Sequence, residues 1–224
     1  MNAPESPDRA HPSDEALNDF LGLLGYSSLG SFALLAEDAA HAPDMASRLM
    51  LSRMAAGELA GIDRVEFLVA ERGGDFDALM ASYRDLFAGY LLRAVPRDWW
   101  ERLVRSYVGY NMIQDMLRNL ASCVPEGLRA ETAASVGSSG HDDFVASVLT
   151  PVIASEPQLA ARLGLWGRRV VGEALTIVQR LFQEHPALIE LACGEQDPGL
   201  RIQRLVTDLQ AEHSRRLGRL GLNA

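Results

Sequence analysis

Five ionisable side chains lie inside otherwise apolar stretches: Glu37 in SFALLAEDAA, Glu58 in MAAGELAGI, Asp115 in VGYNMIQDML, His141 at the start of HDDFVASVL, and Glu173 in RRVVGEALTIV. A carboxylate or imidazole facing a core must be paired, protonated or ligated, because an isolated buried charge is prohibitively costly. Two chemistries suit such a set. Carboxylates and histidines projecting inward from the helices of a bundle can hold two metal ions, commonly as a Glu from each of two helices and a Glu-x-x-His pair from each of two others. Without metal, Glu58 and His141 can serve as acid and base, with the Tyr110 and Tyr107 hydroxyls beside them.

Each residue also has a plain structural explanation. An acid in an apolar helix often sits at the edge of the stripe, paired with an arginine. Glu173 lies within about one turn of Arg168 and Arg169 and is the foremost ion-pair candidate. His141 follows Ser138-Ser139-Gly140 and can simply occupy the first turn of its helix, where Asp142 and Asp143 suit the helix dipole.

Composition removes whole classes of function. The 21 basic residues are all arginine, which excludes a lysine Schiff base and a GxxxxGK[ST] phosphate loop. A net charge of −9 opposes nucleic acid or an anionic membrane as a partner. Cys123 and Cys193 lack CxxC spacing, so a reducing cytoplasm is the expected location. Residues 1–13 are polar and proline-rich and are expected to form a disordered leader, not a signal peptide.

The elements that position these residues read as helices, with almost no strand signal. The charge-free run from Phe20 to Ala36 is short for a membrane span and is interrupted by glycines and serines. It is expected to form two helices, 14–26 and 28–41, meeting in a core. Further helices are expected from Pro43 to Gly73, over 75–94, from Trp99 to Cys123, over 126–136 and 139–154, and over 158–184, with a short one after Pro186. Leu49, Leu51, Met54, Ala55, Leu59, Ile62, Val65 and Val69 mark one apolar face. Leu159, Leu163, Trp166, Val170, Ala174, Ile177, Val178 and Leu181 mark another. Residues 14–192 thus predict an all-α bundle. Residues 193–224 predict a loop and an amphipathic helix whose Ile202, Leu205, Val206, Leu209 and Leu217 can dock on the bundle or across a homodimer. That segment also carries a local basic patch of Arg201, Arg204, Arg215, Arg216 and Arg219.

The segments LLAEDAAHAPDMASRLMLSRMAAGELA, WWERLVRSYVGY, SSGHDDFV and ARLGLWGRRVVGEAL resemble the actinobacterial ferritin-like proteins related to the tRNA-(2-methylthio-N6-isopentenyladenosine) hydroxylases, over roughly residues 17–190. The resemblance implies a ferritin-like helical bundle with additional helices and, in the parent group, oxygen activation at two irons. By position it implies Glu37 as the first-helix carboxylate, Glu58 as the acid of the second-helix pair and His141 as a fourth-helix histidine. Asp115 is the candidate for the third helix. The chain departs from the pattern at three places. Gly61 replaces a histidine, Ser138 an acid, and Tyr110 a frequent acid. His41, one turn after Glu37, is a candidate replacement for the imbalance at Gly61.

Three functions fit this set. The first in rank is a repurposed, metal-depleted site that binds or converts a small molecule in the bundle core, as in specialised metabolism, with Glu58, His141 and Tyr110 as its catalytic groups. The second is a non-haem diiron-type hydroxylase using iron held by Glu37, Glu58, Asp115 and His141. The third is a helical interaction protein. If no metal is held, Glu37 and Glu58 must be protonated, paired with arginine, or open to water.

Overall fold

The computed structural model describes residues 12–136, 140–194 and 196–222, and among these it is all-helical, with no strand. The disordered leader expected at 1–13 falls almost wholly outside the described residues, and so does Ser138.

Two long helices, α1 (Asp14–Ala40) and α2 (Met45–Glu71), form an antiparallel hairpin. Ser13 caps α1 by accepting from the Ala16 amide at 3.1 Å. Asp44 caps α2 by accepting from the Ser47 amide at 2.8 Å, so α2 begins after Pro43 and not at it. The break expected near residue 27 does not occur, and α1 is continuous for 27 residues. Its glycines are sites of close packing. A β-carbon at Gly22 would lie 2.9 Å from Leu79, and one at Gly25 would lie 2.5 Å from the Phe76 ring. Tertiary contact with the short helix α3 (Phe76–Ala81) thus outweighs their weak helix propensity. Being continuous, α1 is long and apolar enough to cross a membrane by length and composition. Here 56% of its most apolar window is buried, as befits a core helix.

The helix expected over 75–94 is two pieces, α3 and α4 (Arg84–Arg93). Between them the buried Tyr83 donates its hydroxyl to the Asp19 carbonyl at 2.8 Å and stacks on His185. The third long rod is α5 (Trp99–Arg105), a π-helical turn (Ser106–Tyr110) and α6 (Asn111–Ala121). Asp98 caps it by accepting from the Glu101 amide at 2.9 Å. Next come α7 (Glu126–Ser135), α8 (His141–Ser155) and α9 (Pro157–Glu184). All eight apolar residues marked on α9 are buried against α4, α5, α8 and the π turn. On α2 the apolar face is narrower than the spacing suggests, since Leu49 and Leu59 point to solvent.

The chain ends in α10 (Pro186–Cys193) and α11 (Pro198–Arg219). Helix α11 packs on α6, α9 and α10, with Leu205, Leu209 and Leu217 buried. Of the five arginines in its expected basic patch, Arg204 is exposed and the other four are engaged. Arg201 reaches the Ala192 carbonyl and Asn119, Arg215 pairs with Glu212, Arg216 with Asp115, and Arg219 with Asp143.

Candidate functional site

Three of the sequence candidates meet in the middle of the bundle. Glu58 on α2, Tyr110 at the end of the π turn and His141 at the start of α8 are all buried. The Tyr110 hydroxyl donates to Glu58 Oε1 at 2.8 Å, and the Tyr110 and His141 rings lie 5.3 Å apart. His141 Nε2 lies 3.2 Å from Ser106 Oγ, whose own proton goes to the Leu103 carbonyl. That commitment assigns the imidazole proton to Nε2 and leaves Nδ1 as a bare acceptor. Nδ1 has no partner among the described residues.

Local sequence explains the placement. Gly140, at φ +68°, turns the chain in a left-handed conformation that directs His141 inward as α8 begins. The π turn inserts one residue into the α5–α6 rod, a device common at functional sites. It brings Ser106 and Tyr110 to bear on His141 and Glu58 together.

Burial sets the protonation states. It pushes the Glu58 carboxyl above its usual range, against the opposing pull of the Tyr110 hydrogen bond. Burial alone pushes the His141 imidazole down to about 4, so it is neutral at physiological pH. The cluster is a neutral imidazole, a phenol and a carboxyl whose hold on its proton is strengthened by burial.

The other candidates are drawn elsewhere. Glu37 is half-exposed and accepts from Arg102 at 2.9 Å and Arg105 at 3.3 Å. Its neighbour Asp38, which sequence reasoning missed, is fully buried and takes the same two guanidinium groups at 3.4 and 3.2 Å. Burial raises the pKa of both acids. At Glu37 the two arginines overcome it and leave the carboxyl below its usual range, whereas at Asp38 burial prevails. The helical spacing of Arg102 and Arg105 was the available signal, since residues three apart share a face. Asp115 binds Arg118 at 2.7 Å and Arg216 at 3.0 Å, so its carboxylate anchors α11. Glu173 pairs with Arg93 of α4 at 2.5 Å, while Arg169 donates to the Arg93 carbonyl. His41 ends α1, with Nδ1 2.9 Å from the Glu37 carbonyl and Nε2 facing Arg102. The Tyr107 hydroxyl turns away to the Arg216 carbonyl.

Beside the polar cluster is a cavity of about 180 Å³ between α1, α4, the π turn, α6 and α9. Its wall is chiefly apolar, including Phe87, Ile113, Ala174 and Ile177, with Tyr110 on one side and Glu37 at the rim.

This donor set does not suit a pair of metal ions. Among the described residues no three His, Cys, Asp or Glu side chains converge on one point. The first-helix carboxylate and its neighbour are already compensated by two guanidinium groups. A β-carbon at position 61 would stand 3.3 Å from the Ser135 carbonyl, so a histidine there would need α7 to give by a few tenths of an ångström.

No curated protein sequence matches the chain. A family model for the ferritin-like domain of actinomycetes matches residues 12–195, which takes in the hairpin, the π turn, His141 and the whole of α9. The chain belongs to this actinomycete ferritin-like family, and its fold is the all-helical bundle of that family.

Proposed function

We propose that the protein binds a small, largely apolar molecule in the cavity beside α1 and moves a proton on it without a metal. The observation that carries this reading is the double position of Tyr110. Its side chain lines the cavity, while its hydroxyl is held by the buried Glu58 carboxyl. A phenol so placed can pass a proton between a bound molecule and Glu58, and neutral His141 beside it offers Nδ1 as a further acceptor. Tyr110 stands where the hydroxylase resemblance expects an acid, so a proton donor replaces a metal ligand. The dimetal hydroxylase reading gains no support from the donor set.

Two measurements test this proposal. Elemental analysis of protein from iron-supplemented cells is expected to find no stoichiometric metal; near two irons per chain would sink the metal-free reading. Ethylbenzene titrated into the protein is expected to shift the NMR signals of residues lining the cavity. Ala33→Trp, which places an indole at the exposed rim, is expected to abolish those shifts. Unchanged binding in that variant would place the guest elsewhere.

A further inference from the structure

Two residues of the cavity wall carry buried hydroxyls with no partner among the described residues: Ser27 Oγ and Tyr90 Oη. Both residues are more than nine-tenths buried. An unpaired buried hydroxyl is destabilising, so two of them around one small cavity point to a guest that satisfies them. The two other tyrosine hydroxyls of the wall are already engaged: Tyr110 donates to Glu58, and Tyr26 donates to the Arg84 carbonyl. Tyr90 reaches its position only because residue 109 is glycine. A β-carbon there would come within 2.0 Å of the Tyr90 hydroxyl.

The charges around the cavity are compensated. Glu37 at the rim is held by Arg102 and Arg105, and Glu173, which acts on Tyr90 electrostatically, is held by Arg93. Arg105 and Asp38, also within electrostatic reach of Tyr90, balance each other. A charged guest would lose its hydration without gaining an uncommitted counter-ion, a loss of several kcal/mol. Burial pushes the Tyr90 phenol above its ordinary pKa, so it stays protonated and able to donate. Size narrows the guest further. An apolar cavity of roughly 150 Å³ holds one benzene ring, and this one is about 180 Å³.

We infer that the cavity selects an uncharged molecule of about one ring in size, with an apolar body and an oxygen acceptor such as a ketone, aldehyde or ether, held by the Tyr90 hydroxyl with Ser27 as a second donor. This rests on the cavity-binding function proposed above and names its ligand class. It also explains why the wall combines apolar side chains with the unpartnered hydroxyls of Ser27 and Tyr90.

The test compares three probes of similar shape, each titrated into wild-type protein, Tyr90→Phe and Ser27→Ala at pH 7.5. Acetophenone carries the acceptor, ethylbenzene lacks it, and benzoate carries a charge. Wild type is expected to prefer acetophenone over ethylbenzene by about three- to tenfold, the worth of a buried hydrogen bond. Benzoate is expected to bind at least tenfold more weakly than acetophenone. Tyr90→Phe, which removes a hydroxyl with no partner and so leaves the fold intact, should erase the preference while ethylbenzene affinity stays the same. Ser27→Ala should reduce the preference in part. A preference that survives in both variants overturns the inference, as does tightest binding of benzoate. If ethylbenzene binds as well as acetophenone to wild type, the hydroxyl assignment falls and the cavity function stands. If none of the three binds, both fall.

Discussion

Two buried acids one helix apart are kept in opposite ways. Asp38 on α1 lies in a charge cluster, where Arg102 and Arg105 approach it and Glu37 together. Glu58 on α2 is held by the Tyr110 phenol, which in turn faces the neutral His141 imidazole. The chain contains no lysine, so every cation available to a buried acid is a planar, permanently charged guanidinium or a histidine. Arginine is spent on α1 and withheld from α2. The first region is closed electrostatically, while the second keeps a carboxyl able to hold or release a proton. A proton-handling site needs the second arrangement.

The largest effect should come from breaking the α1 cluster. Arg105→Met leaves buried Asp38 without its main cation and should cost about 3–5 kcal/mol in urea denaturation. Adding Asp38→Leu should restore much of that loss, because an apolar pair can replace a buried ion pair. If the single variant is as stable as wild type, Arg105 does not compensate Asp38.

The His141 region should respond to pH instead. Its folded pKa, about 4, lies below the unfolded value near 6.5, so the unfolded chain binds the proton more readily between those limits. Stability should therefore fall as pH drops from about 6.5 toward 4, by roughly 2–3 kcal/mol from this residue at most. Buried His213, also pushed down to about 4, adds a second contribution of the same sign. His141→Asn should flatten the profile in part, leaving the share of His213. A profile identical to wild type would mean that His141 is not buried as a neutral base.

Glu58 should give the smallest effect and the opposite sign. Its folded pKa is raised, so the stability it contributes is present below the unfolded value near 4.5 and is lost as pH rises through the folded value. Glu58→Gln keeps an acceptor for Tyr110 and should remove that alkaline loss, making the variant the more stable form at pH 8. A variant less stable than wild type at pH 8 would show that the carboxylate is the favoured form.

The fold was largely readable because helix punctuation is local. Ser13, Asp98 and the α9 stripe act within a few residues of themselves, and the structure places each as its spacing indicates. What misled was any feature settled by a distant partner. The glycines of α1 read as a break, but Phe76 and Leu79 pack into them. Glu173 read as a partner of its helical neighbours, but Arg93 reaches it from α4. At the site, the inward placement of Glu58 and His141 showed in their apolar surroundings. Asp38 was hidden behind Glu37, because adjacent residues differ by only 100° on the helix and spacing alone does not say which is buried. The orphan hydroxyls of Ser27 and Tyr90 have no sequence signature, since only the packing around them leaves them unpaired.

The π turn makes the two regions depend on one another. Arg102 and Arg105 precede it and face α1, while Tyr110 ends it and faces α2, all on a single uninterrupted rod. If these same five residues took ordinary α geometry instead, everything after them would be rotated by about 100° about the axis. Tyr110 would swing off Glu58, while the arginines upstream kept their acids. One residue of helical phase thus separates a bundle with a working phenol from one that retains only its charge lock.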